Sequence, residues 1–204
     1  MKLYVEGGGD SNTLRTECRK GFSEFLKKAG LVGRMPRIVA SGSRQNAFND
    51  FVIAQNNGQP AMLLVDSESP VSDENSVSGR ERPWQHLADR QGDQWIKPSN
   101  ATDDQCHLMV ECMESWLLAD RQTLITFFGN GFNENALPPA TRSVESVSKR
   151  QLYDFLAQAT RGSKSTYSKG NNSFEILAKL DANVVMAASP WAKRFVDKLK
   201  VAMR

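Results

Sequence analysis

The chain has 204 residues, 40% hydrophobic and 24% charged, with a formal net charge of +3. A chain of this length buries about 70% of the surface it exposes when unfolded, and the composition excludes a disordered or fibrous protein. No apolar run approaches the roughly 18–20 residues that span a bilayer, and three cysteines without a CxxC pair and two histidines argue against a disulfide framework or a zinc site.

In chain order, "KLYV" predicts a short strand ending at Glu6, followed by the turn Gly7-Gly8-Gly9 and helix-capping residues at Asp10, Ser11 and Asn12. The N-terminus enters this strand directly, so no signal peptide is expected and the protein reads as cytoplasmic with reduced thiols. Leu14, Cys18, Phe22, Phe25, Leu26 and Ala29 recur at helical spacing, with Gly30 placed to end the helix. "RIVAS" (37–41) predicts a second strand, residues 44–56 a helix, and "AMLLV" (61–65) a strand buried on both faces. This β-α-β-α-β order predicts an α/β fold with a parallel sheet flanked by helices. Residues 69–105 read as an irregular segment anchored by Trp84 and Trp95. "HLMV" (107–110) predicts a fourth strand and "ECMESWLLAD" (111–120) a helix. Further helices at about 121–128, 146–160, 173–181 and 190–203 make the C-terminal third mostly helical. The organisation is a core over 1–125 with a helical part over 126–204 packed on it.

Charge is unevenly spread: residues 1–141 hold 14 Lys/Arg against 18 Asp/Glu, and residues 142–204 hold 12 against 5. An acidic body beside a basic C-terminal third suits a metal site next to a phosphate-binding surface, or equally a set of solvated helix faces.

In a parallel sheet, ligands bind beyond the carboxyl ends of the strands. Glu6 ends the first predicted strand and Asp66 the third, with Glu68 on the same side if residues 66–68 stay extended. Glu111 follows the fourth strand, and Glu114 would share a helical face with it. Carboxylates gathered in one crevice repel each other, and a hard divalent cation such as Mg²⁺ removes that cost. The alternatives are a capping turn at Asp66-Ser67-Glu68, a surface Glu6 beside a tight turn, exposed helix positions for Glu111 and Glu114, a structural His107, and tryptophans that serve the core.

"YVEGGGD" (4–10) followed by "LLVDSE" (63–68) resembles the Toprim signature of a strand-end glutamate and a later strand-end Asp-x-Asp, with Glu68 in place of the second aspartate. With "HLMVECMESWLLAD" (107–120) and "TYSKG" (166–170), the chain more closely resembles a bacterial Toprim-like family of unknown function often encoded beside an AAA/ABC-type ATPase. The resemblance implies a Toprim-like core with a Mg²⁺ (or Mn²⁺) site. It casts Glu6 as general acid/base, Asp66 and Glu68 as metal ligands, and Glu111 or Glu114 as additional acids of the kind found in nucleases of the overcoming-lysogenisation-defect type. Lys169 would be the basic residue at the scissile phosphate. The expected function is a Mg²⁺-dependent nuclease or phosphoryl-transfer enzyme acting on nucleic acid, with Lys149, Arg150, Arg161 and Lys164 on substrate phosphates. An ATPase partner in defence or repair follows from family context. The alternatives are a non-catalytic regulatory subunit and a nucleotide- or sugar-phosphate-processing metal enzyme.

Overall fold

A computed structural model of the chain describes residues 1–170 and 172–204. Among the described residues four strands, β1 (Lys2–Gly8), β2 (Arg37–Gly42), β3 (Ala61–Asp66) and β4 (Cys106–Met109), form one parallel sheet in the order β2-β1-β3-β4. Parallel neighbours need long crossovers. These are supplied by α1 (Asn12–Leu26), α2 (Arg44–Asn56) and the long β3–β4 connection, which holds α3 (Pro83–Asp89). The chain steps from β1 outward to β2 and returns past β1 to β3, so the topological switch point lies between β1 and β3.

The strand pleat divides the core in two. Leu3, Val5, Met62, Leu64 and Met109 pack with Phe22 and Phe25 of α1 and with the C-terminal helices. Tyr4, Leu63, Val65, Cys106 and Leu108 pack on the other face with Ala47 and Phe51 of α2 and Trp84 of α3. Every residue of β3 is buried, as its unbroken apolar run requires. The expected α/β architecture, a parallel sheet flanked by helices, is therefore the observed one.

The rest of the chain forms α4 (Ser115–Ala119), α5 (Arg121–Phe128), α6 (Lys149–Thr160), α7 (Ser173–Leu177), α8 (Ala182–Ala188) and α9 (Pro190–Ala202). α7 lies on α1, and α9 runs beside β4. Trp116 of α4 stacks on Phe25 with ring centroids 5.1 Å apart, joining the C-terminal helices to the sheet layer.

Several expectations need correction. Residues 69–105 are not wholly irregular. Pro83 starts α3, whose seven residues are too few for a period to stand out in the sequence. Trp84 and Trp95 do anchor this segment, Trp95 stacking on Phe48 at 4.4 Å. The helix expected over 111–120 begins only at Ser115, because the preceding backbone is used elsewhere: Glu68 N–H donates to Glu111 O and Met113 N–H to Asp66 Oδ1, both at 2.9 Å. The helix expected over 173–181 ends at Leu177, and Asp181 instead caps α8 by accepting from Asn183 N–H at 2.8 Å. No helix among the described residues is long and apolar enough to cross a membrane.

Candidate functional site

The register sets Val5 level with Leu64; β1 does not end at Glu6 as expected but runs on to Gly8, paired with Gly42, so Glu6 lies within the strand, next to the end of β3 at Asp66 and at the switch point. Glu6 Oε2 accepts from Asp66 N–H at 3.1 Å. The segment after Asp66 does not stay extended, contrary to expectation. The strand stops at Asp66, and Glu68 takes a left-handed backbone with φ of 62°. This turn is tied by Ser67 Oγ donating to Ser69 O at 2.7 Å and by the His86 ring nitrogen against Ser67 O at 2.9 Å. Convergence is reached by the turn instead of by alternation: Glu6, Asp66 and Glu68 offer carboxylate oxygens all within 4.8 Å of one another.

Two cations flank the three acids. Arg44, the first residue of α2, donates from Nη1 to Asp66 O and lies 3.4 Å from Glu6 Oε2. Its guanidinium is gripped by Asp93 at 2.7 and 2.5 Å and lies 4.8 Å over the Trp95 ring. Lys149, the first residue of α6, places Nζ 2.5 Å from Glu68 Oε1 and 3.6 Å from Asp66 Oδ2. Burial raises Glu6 above the usual carboxylate range, with Arg44 and the Asp66 N–H opposing it. Burial also raises Asp66 well above that range, and the charges of Glu6 and Glu114 add to the effect. For Lys149, burial works against the charged form, but Asp66 and Glu68 outweigh it and raise the ammonium's proton affinity.

A cleft of about 200 Å³ opens beside the cluster, lined by Glu6, Asp66, Glu114, Lys169 and the Gly7-Gly8-Gly9 segment, with Glu68 and Lys149 outside its lining. The glycine segment sits close to its neighbours. A Cβ on Gly8, whose φ is 87°, would come within 2.7 Å of Arg15 Cα, and one on Gly42 within 2.6 Å of Gly9 O. A larger depression of about 410 Å³ lies against α9, but its buried cation Arg194 is already paired with Glu81 at 3.3 Å.

The expected site residues do not all meet. Glu6, Asp66 and Glu68 converge, and Lys169 reaches the cleft with Nζ 5.6 Å over the Tyr153 ring. Glu114 is buried at the cleft wall and accepts from Tyr167 Oη at 3.3 Å. Glu111 does not share a helical face with it. Its Oε2 accepts from Lys149 N–H at 2.8 Å, at the N-terminus of α6. Lys149, expected on substrate, lies among the acids. Arg150 is exposed at the same helix end, whereas Arg161 and Lys164 are exposed beyond the other end. Arg44 and Asp93 were not anticipated. Arg44 follows the end of β2, so the strand-end rule that selects Glu6 and Asp66 would have selected it too. Asp93 carries no local signal, because its partner is 49 residues away.

Residues 5–200 match the model of a family described as a domain of unknown function, DUF4276. The chain belongs to that family. The match covers the residues of the acid cluster, the cleft and the C-terminal helices alike. No curated protein and no solved structure is a significant match.

Proposed function

We propose that this protein is a divalent-cation-dependent phosphodiesterase acting on nucleic acid. The observation that carries this reading is the convergence of Glu6, Asp66 and Glu68 at the switch point of a parallel sheet. Carboxylates are the hard oxygen donors that Mg²⁺ and Mn²⁺ prefer, and burial without a cation makes the cluster costly, so the residues present fit such an ion. Asp66 and Glu68 would hold it, with Glu114 at the same cleft as the further acid. A divalent ion supplies Lewis-acid stabilisation of charge on the phosphoryl oxygens. Glu6, with its raised proton affinity, suits the transfer of a proton to or from the reacting oxygen. Arg44 fixes the backbone of Asp66, and Lys169 faces a phosphate at the cleft mouth. The resemblance to Toprim nucleases supports the same roles, and on that resemblance alone an AAA/ABC-type ATPase partner in defence or repair belongs to the proposal.

The cleft, at about 200 Å³, is below the usual size of a small-molecule site, so a substrate would engage the acids with one phosphate group. That suits a strand laid across the mouth, and it also suits a small phosphate ester. Calorimetric titration of Mn²⁺ into wild type and Asp66→Ala/Glu68→Ala, beside cleavage of plasmid, single-stranded DNA and RNA, tests the proposal. Binding lost in the double variant, together with metal-dependent cleavage of a polymer, is the expected result. Wild type that binds no Mn²⁺ refutes it. Turnover of small phosphate esters only would replace it with the second reading.

A further inference from the structure

The two cations at the acid cluster are held very differently. Arg44 is locked: Asp93 takes two of its nitrogens, Trp95 covers its face, and Asp66 O takes a third hydrogen bond. Lys149 is fixed only at its root. Its N–H is held by Glu111 and α6 begins there, with Ser148 Oγ accepting from Gln151 N–H at 3.3 Å. Its head reaches the acids on a flexible four-carbon stem, and the side chain keeps 24% of its surface exposed. The ammonium pairs with Asp66 and Glu68, the two residues assigned above to the metal.

We propose that Lys149 is a tethered counter-ion that occupies the metal position in the metal-free protein and must swing out, toward the substrate phosphate, when a divalent ion enters. This rests on the cation site proposed above. A divalent ion held between Asp66 and Glu68 would lie against the ammonium and repel it, so binding of the ion must overcome the Lys149 pairs. The arrangement neutralises the charge that Arg44, set beside Glu6, leaves at Asp66 and Glu68 without metal, and it raises the concentration needed for loading. It also gives Glu111 a purpose that is not ligation: it is a positioning residue that sets where the stem of Lys149 starts.

The test is Mn²⁺ affinity by calorimetry for wild type, Lys149→Met and Lys149→Arg, with thermal unfolding of each in the presence and absence of Mn²⁺. Lys149→Met is expected to bind Mn²⁺ about tenfold more tightly than wild type. Its metal-free form should unfold at a lower temperature and gain more from Mn²⁺ than wild type does. Lys149→Arg, which keeps the charge, should stay near wild type. General damage to the fold weakens binding, so a gain in affinity is a result that only removal of a competitor produces. Equal or weaker binding by Lys149→Met overturns the proposal while leaving the metal site standing, whereas no Mn²⁺ binding by wild type removes both. If Lys149→Met does not fold, reductive methylation of wild type decides. Labelling of Lys149 should rise several-fold on adding Mg²⁺, and labelling indifferent to Mg²⁺ overturns the proposal.

Discussion

Asp66 is engaged at every polar atom: its N–H donates to Glu6, its carbonyl accepts from Arg44, and its carboxylate accepts from Met113 N–H and faces Lys149. Burial and the neighbouring acids nevertheless raise its proton affinity. A carboxylate raised on folding binds more protons folded than unfolded between its two pKa values. Its contribution to stability is therefore lost as pH rises from the unfolded value through the folded one. Asp66→Asn keeps the acceptor for Met113 N–H and removes the charge. It should raise the melting temperature of the metal-free protein at about pH 8 by about 2–4 °C, the shift that roughly 1 kcal/mol produces in a chain of this length. The gain should shrink as pH falls through the folded value and vanish below the unfolded value of about 3.9, where the wild-type carboxyl is protonated in both states. A variant less stable than wild type at both pH values would mean that the Lys149 pair outweighs the burial. Glu111 serves the helix: its carboxylate accepts from the Lys149 N–H at the start of α6. Glu111→Ala should cost about 1–3 kcal/mol in urea unfolding by stranding that donor. Glu111→Gln, which keeps an acceptor, should cost less and leave the Mn²⁺ stoichiometry unchanged.

The turn from β1 to α1 is built on backbone that other residues cannot adopt cheaply. Gly8→Ala brings both a left-handed conformation and a Cβ 2.7 Å from Arg15 Cα, whereas Gly58, with φ of 65° between α2 and β3, has nothing within 4 Å of a built Cβ. In denaturant unfolding Gly58→Ala should lose about 1–2 kcal/mol, the conformational cost alone, and Gly8→Ala about 2–5 kcal/mol, with overpacking added. Similar losses for the two would mean that the β1–α1 turn relaxes freely. The same elements explain what the sequence reveals. β3 and α2 are legible because an unbroken apolar run and an apolar face at helical spacing are local signals. The strand ends therefore delivered Glu6 and Asp66. The shared helical face expected of Glu111 and Glu114 fails because the Glu111 carbonyl and the Met113 N–H are bonded to Glu68 and Asp66, more than forty positions earlier. The left-handed backbone at Glu68, the Arg44–Asp93 clamp and Lys149 among the acids are all products of tertiary contact, and none has a local signature.

The basic C-terminal third does not form one cationic face. Lys179 pairs with Glu175, Lys193 with Asp197, Arg194 with Glu81, and Lys198 with Asp104. Around the proposed substrate path lie Lys169 at the cleft, Arg150 exposed at the start of α6 beside the acid-paired Lys149, and Arg161 and Lys164 beyond the far end of that helix. A helix of 12 residues is about 18 Å long, roughly the rise of five base pairs. On the proposed nucleic-acid reading, a strand running along α6 would have to be about that long to meet both groups. Arg161→Ala/Lys164→Ala should weaken binding of a duplex of about 12 base pairs and make the dependence of log affinity on log salt shallower by about 2. Binding of a fragment of about four nucleotides, too short to reach from the acids to those side chains, should be unaffected. Replacing Lys169 should instead weaken both substrates. Fluorescence anisotropy at several salt concentrations separates the cases. Equal losses on both lengths would place the substrate on a path other than α6, and no loss on either would leave those two cations as ordinary solvated charge.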